Sequence, residues 1–174
     1  MYYCYKSFFS IGLLAVTDAN YKFVMVSVGS YGKENDAGVF DECPFREAIE
    51  TGRLKVPKEE LLPGSGIKTP YVLIGDAAFP LKNYLMRPFP DKTTTKGDDK
   101  DNFNYRLSRA RMVVECSFES INETEVVIFQ DSYRNTPRTL QYDLQKRLNA
   151  SSRAAMQVRK NFKLYFEQHP IQRM

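Results

Sequence analysis

Histidine is nearly missing from these 174 residues, with His169 the only one, and tryptophan is missing altogether. A single histidine excludes His-ligated zinc centres and Ser-His or Cys-His nucleophilic catalysis. Cysteine is scarce as well. Cys4, Cys43 and Cys116 are odd in number, far apart and form no CxxC, so neither a disulfide framework nor a zinc ribbon is indicated. A reducing compartment is the simplest setting for such cysteines. Long hydrophobic runs are also lacking: Ile11-Gly-Leu-Leu-Ala-Val16 is the longest, far too short to cross a bilayer, so no membrane association is expected. The opening Met1-Tyr-Tyr-Cys-Tyr-Lys6 has neither the apolar stretch nor the cleavage context of a signal peptide. No internal repeat is present. Any metal chemistry left to this chain rests on carboxylates, which select hard ions such as Mg²⁺ or Mn²⁺.

What remains suits one domain, or one domain with an appendage, and a real hydrophobic core. The net charge of +4 is unevenly spread. Residues 1–75 carry 8 Lys+Arg against 9 Asp+Glu, whereas residues 76–174 carry 17 against 12. That basic bias is compatible with a nucleic-acid partner and equally with a solvated basic surface.

Residues 7–16 read as a strand buried on both faces. Thr17-Asp-Ala-Asn20 reads as a turn, with Asp18 a turn residue, and Tyr21–Val28 as the returning strand of a hairpin. A helix is expected from Asn35 or Asp36, either of which could cap it, and a second over Pro44–Gly52. Residues 55–70, rich in Pro and Gly, read as irregular, and Tyr71–Gly75 as a short strand of a mixed or parallel sheet. Pro80–Pro90 reads as a docked loop and Asp91–Asp101 as a mobile polar tip. From Asn102 a helix carries Leu107, Ala110, Val114 and Phe118 at helical spacing. Val126–Phe129 is a candidate strand. Asn135-Thr-Pro137 is a helix start, followed by Leu140, Leu144 and Leu148. A last helix carries Val158, Phe162 and Phe166. The order favours an α/β sheet with helices against it.

The residues able to carry chemistry are acidic. Two-metal phosphodiester hydrolysis needs carboxylates on rigid elements, holding ions roughly 4 Å apart. Asp76 leaves the strand Tyr71–Gly75, and Glu115 stands on the following helix on one face with Arg111 and Ser108. Each also has an ordinary reading. Asp76 would serve as a turn residue, Glu115 as the partner of Arg111, and Asp36 as a helix cap. Arg106, Arg109 and Arg111 suit bidentate contacts to phosphate, or form a polar helix face.

Seven segments occur in order: Ala15–Phe23, Val28–Gly32, Asp36–Phe40, Leu62–Gly64, Pro70–Leu81, Leu85–Pro88 and Phe103–Glu115. Together they resemble the DDE endonuclease of Harbinger-type transposases and the genes derived from them. The resemblance covers about residues 6–118. It implies an RNase H-like mixed sheet with flanking helices, in which three acids bind divalent metal and cut DNA. By resemblance Asp76 is the second acid and Glu115 the third, and Asp36 matches a further family aspartate that serves as a metal ligand. It implies DNA as partner, a protein partner that supplies DNA binding, and a location in the nucleus, or in nucleus and cytoplasm.

The chain departs from the family in two places. The family's first catalytic Asp precedes the hairpin, and Met1–Lys6 holds no counterpart; the family's N-terminal helix-turn-helix region is also lacking. After Glu115 the family's continuation is replaced by Cys116-Ser-Phe-Glu-Ser and unrelated sequence, until Val158–Phe166 again looks like a family C-terminus. The expectation is a truncated or internally spliced copy. It would have a partial endonuclease domain over 1–118, lacking its first strand, and a divergent, mainly helical tail over 119–174. Three readings follow: a metal-dependent DNA endonuclease of impaired activity, an inactive derivative that binds nucleic acid or protein, and a degenerate fragment.

Overall fold

The computed structural model describes residues 9–31, 34–122 and 152–171. Packing divides them into two units, one of residues 9–54 and 111–122, the other of residues 55–110 and 152–171. The class is mixed α/β. The described strands form three separate two-stranded sheets. No described helix is long and apolar enough to cross a membrane.

The first unit is built on the expected hairpin. Strands β1 (Ile11–Thr17) and β2 (Phe23–Tyr31) pair antiparallel, with Val16 opposite Met25 and Ala15 opposite Val26. The turn depends on Asp18. Its carboxylate accepts the backbone N–H groups of Asn20 at 2.8 Å and Lys22 at 3.0 Å, and Tyr21 takes a left-handed φ of 63°. These backbone N–H groups, Lys22 first, hold the Asp18 carboxyl below its ordinary value.

The expectation that β1 is buried on both faces is corrected: Ile11 is exposed and the rest of the strand is half-buried. A two-stranded sheet has too little surface to enclose a strand. In β2 the alternation puts Phe23, Met25 and Ser27 inward, and Val24 and Val28 outward at 62% and 65% exposure. Helix α1 (Asp36–Glu42) buries Ala37 and Phe40, and α2 (Pro44–Glu50) follows directly. Asn35, not Asp36, is the cap of α1: its Oδ1 accepts the Gly38 N–H at 2.7 Å. Gly52, at φ 69°, closes α2 as expected.

The second unit holds strands β3 (Glu60–Leu61) and β4 (Lys68–Thr69), an antiparallel pair inside the stretch read as irregular. Strand β5 (Leu73–Ile74) pairs parallel with β6 (Leu85–Met86). The loop expected over Pro80–Pro90 is thereby corrected. The prolines at 80, 88 and 90 flank β6, so no ladder N–H is lost to them. The Asp91–Asp101 tip is a 3-10 turn (Asp91–Thr93) leading into helix α3 (Asp99–Asn122). Asp98 accepts the N–H groups of Thr95 and Asp101 at 3.0 and 2.7 Å, which hold its carboxyl low.

The core of this unit is Leu81, Met86, Phe103, Leu107 and Ala155. Helix α4 (Arg153–Gln168), capped by Ser152, lays Ala155 into it at 0% exposure, with Val158, Phe162 and Phe166 packed alongside. On α3, Phe103 and Leu107 are buried as the spacing requires, but Ala110 is exposed. The candidate strand Val126–Phe129 and the helix from Asn135 through Leu140, Leu144 and Leu148 lie outside the described residues.

Phe103, at 1% exposure, is the largest fully buried side chain of this core. Replacing it with alanine leaves a cavity and is expected to cost about 3–5 kcal/mol in urea unfolding. A loss below about 1 kcal/mol would contradict this packing.

Candidate acidic site

Asp76 is delivered by β5. Gly75 is buried beneath the Phe79 ring, and a Cβ there would meet ring carbon Cδ2 at 2.9 Å. Glycine at 75 therefore lets the chain turn tightly under Phe79 as it leaves the strand. The Gly75 N–H bonds the Met86 carbonyl at 2.9 Å, so the residue before Asp76 is still part of the β5–β6 ladder. Oδ1 of Asp76 accepts the Ala78 N–H at 2.8 Å, closing an Asx turn. The side chain is half-buried, and its second oxygen has no hydrogen-bond partner among the described residues.

The turn is held from below by Arg87, which the sequence reading did not single out. Its Nη1 donates to the carbonyls of Phe79 at 3.1 Å and Ala77 at 3.5 Å. Burial alone pushes its guanidinium below the ordinary value. The one signal for it is its place in Leu85–Pro88, just after β6.

Glu115 stands on the second half of α3, in the first unit, with its side chain 47% exposed. Arg111 Nη2 approaches it at 3.9 Å, the ordinary i,i+4 pair. Asp36 is half-buried in the first turn of α1, in the same unit, where a carboxylate favours the helix N-terminus. Asp76 belongs to the second unit. Within neither unit do three His, Cys, Asp or Glu side chains gather closely enough to hold a metal ion, among the described residues.

The arginines divide by environment. Arg106 is half-buried and spans from α3 to the end of α4: Nη2 donates to the carbonyls of Phe166, at 3.2 Å, and His169, and the guanidinium lies over the Phe166 ring at 4.6 Å. It closes the C-terminus of α4, where carbonyls lack helical partners. Burial pushes it below its ordinary value. Arg109 is exposed, with its guanidinium 5.9 Å from the Tyr105 ring centre. Arg111 is shared with Glu115.

Comparison with known proteins adds a family. The sequence matches the family described as DDE superfamily endonuclease over residues 1–160. A relative, Protein ALP1-like of Arabidopsis thaliana, is 28% identical over 115 residues, which are 66% of this chain. The chain spans only 28% of that relative's length. No solved structure matches.

The contact at Gly75 yields a direct test. Gly75→Ala drives a methyl against the Phe79 ring and is expected to cost about 1–3 kcal/mol, read by thermal unfolding. The Ala78 amide resonance should shift as the Asp76 turn is displaced. Unchanged stability together with an unchanged Ala78 resonance would contradict the close approach.

Proposed function

The chain belongs to the DDE superfamily endonucleases, and from that membership we propose that it is a transposase-derived DNA endonuclease whose phosphodiester hydrolysis depends on Mg²⁺ or Mn²⁺ and is slow. The observation that carries this reading is Asp76. It lies in a family-matched segment at the end of β5, tethered through one oxygen and with the other oxygen unbonded among the described residues. Asp76 and Glu115 are the proposed catalytic acids, with Asp36 as a third ligand. An RNase H-like arrangement of strands belongs to the same proposal.

The donor chemistry suits a hard ion, since all three are carboxylates. A bound ion would supply an activated water and a charge to stabilise the leaving oxygen. The described geometry does not gather three donors within either unit.

A second reading is that the chain binds DNA, or a protein that supplies DNA binding, without cutting. The excess of Lys+Arg over Asp+Glu beyond residue 75, 17 against 12, suits a nucleic-acid partner. The nucleus is the proposed place of action on either reading.

Incubating the protein with supercoiled plasmid and Mn²⁺ or Mg²⁺ separates them. Slow nicking is expected from the wild type and none from Asp76→Ala. Equal nicking by the two proteins would refute the role of Asp76. No nicking by either, with plasmid still retained on a filter, would leave the binding module as the function.

A further inference from the structure

The hairpin of the first unit is apolar on both of its faces. One face points inward, where Phe23 meets the Phe118 ring of α3 at 5.2 Å. The other carries Val24, Val26 and Val28 from β2, at 62%, 49% and 65% exposure. Register adds β1 to it: Ala15 stands opposite Val26, Leu13 opposite Val28, and Ile11 opposite Tyr31. Residues directly opposite in an antiparallel pair share a face.

Tyr31 comes three residues after Val28, so strict alternation would turn it inward. The register slips between Gly12 and Leu13, and Gly29, at φ 120°, is the extra residue on β2. This bulge returns Tyr31 to the outer face, 43% exposed beside Ile11 at 54%. Glycine suits the place because a left-handed φ costs it little.

An antiparallel sheet that meets water on one side ordinarily turns its polar residues there. Here Ser27 and Ser30 stand on the inner side, opposite Leu14 and Gly12, while the valines face out. No charged residue occurs in Ile11–Ala15 or Val24–Tyr31. A DNA backbone would find no cation on this face. What fits it is a second uncharged, flat, apolar face, and every copy of the chain brings one.

The area is sufficient. At 43–65% exposure the five most exposed side chains offer on the order of 500 Å² of apolar surface. Two copies face to face would bury about 1,000 Å², where specific interfaces begin and well short of a permanent one. Stacked sheets pack about 10 Å apart with interdigitated side chains, a geometry that valine stripes supply.

We propose that two copies of this chain associate reversibly, hairpin on hairpin, through the face of Val24, Val26 and Val28. A twofold axis relates the copies, and the pair is closed, because each outer face is covered once. The pairing goes beyond the proposed function and needs no reaction at Asp76, which lies in the other unit.

The test is sedimentation equilibrium of the full chain, without metal or DNA, from about 1 to 200 μM. The wild type is expected to pass from monomer to dimer with a Kd of about 10 μM. Val26→Lys places an uncompensated charge in the interface and should weaken association at least about tenfold. Val56→Lys alters a comparably exposed valine of the second unit, at 45%, and should leave the Kd unchanged. Both variants should keep the wild-type Tm, since both sites are exposed.

A wild type that stays monomeric throughout overturns the proposal. So does a dimer that Val26→Lys leaves intact, or one that Val56→Lys weakens as much. Growth beyond the dimer contradicts a closed pair. If Val26→Lys does not fold, the methyl resonances of Val24, Val26 and Val28 are followed as the wild type is diluted. They should shift together with the sedimentation midpoint, and methyls that do not respond overturn the face. Dimerisation without plasmid nicking would refute hydrolysis alone, and nicking by a strictly monomeric chain would refute this pairing alone.

Discussion

The Phe103 ring stands edge-on to Phe89 at 5.2 Å and lies 5.9 Å from Phe166. One aromatic side chain on α3 thus serves both the segment that follows β6 and the stripe of α4. Leu81, in the connection from β5 to β6, and Met86, in β6, complete the same core. Because β5 and β6 are only two residues each, their ladder bonds alone would not hold them. Burial of their flanking side chains against α3 and α4 is what fixes the end of β5, and hence the position of Asp76. The position of that carboxylate thus depends on packing that involves residues up to 166.

Three arginines of this unit donate to backbone carbonyls. Arg106 closes the end of α4, Arg87 supports the Asp76 turn, and Arg159 reaches the Pro88 carbonyl. Burial lowers all three from their ordinary values. A carbonyl orients a guanidinium and stabilises loose chain ends, yet it leaves the positive charge in place. The basic excess of the later chain is therefore partly structural.

The elements legible in the sequence were those whose signal is local. The hairpin followed from alternation in β2 and from Asp18 in its turn, and α4 from the spacing of Val158, Phe162 and Phe166. Asp76 at a strand end was legible because an apolar run stops at Gly75. Strand β6 was not, since two residues among prolines carry no periodicity and their pairing with β5 is made at long range. The bond from the Phe89 N–H to Asn104 and the use of Arg106 at the end of α4 also join distant residues, and nothing local marks them. Burial of β1 was misjudged because an apolar run does not show how many strands will flank it. The acids were each placed on the expected element, but which of them come together is a property of packing that spacing cannot express.

The dependence of β5 on α4 can be measured at a distance from both. Ala155 is wholly buried in the shared core, whereas the β5 ladder is reported by the Leu73 N–H, bonded to the Tyr84 carbonyl, and the Gly75 N–H, bonded to the Met86 carbonyl. Hydrogen exchange of these two amides in Ala155→Asp, which forces a charge into the core, tests the link most directly. Protection of both Leu73 and Gly75 should fall along with that of α4. Loss of protection in α4 with Leu73 and Gly75 unchanged would contradict it.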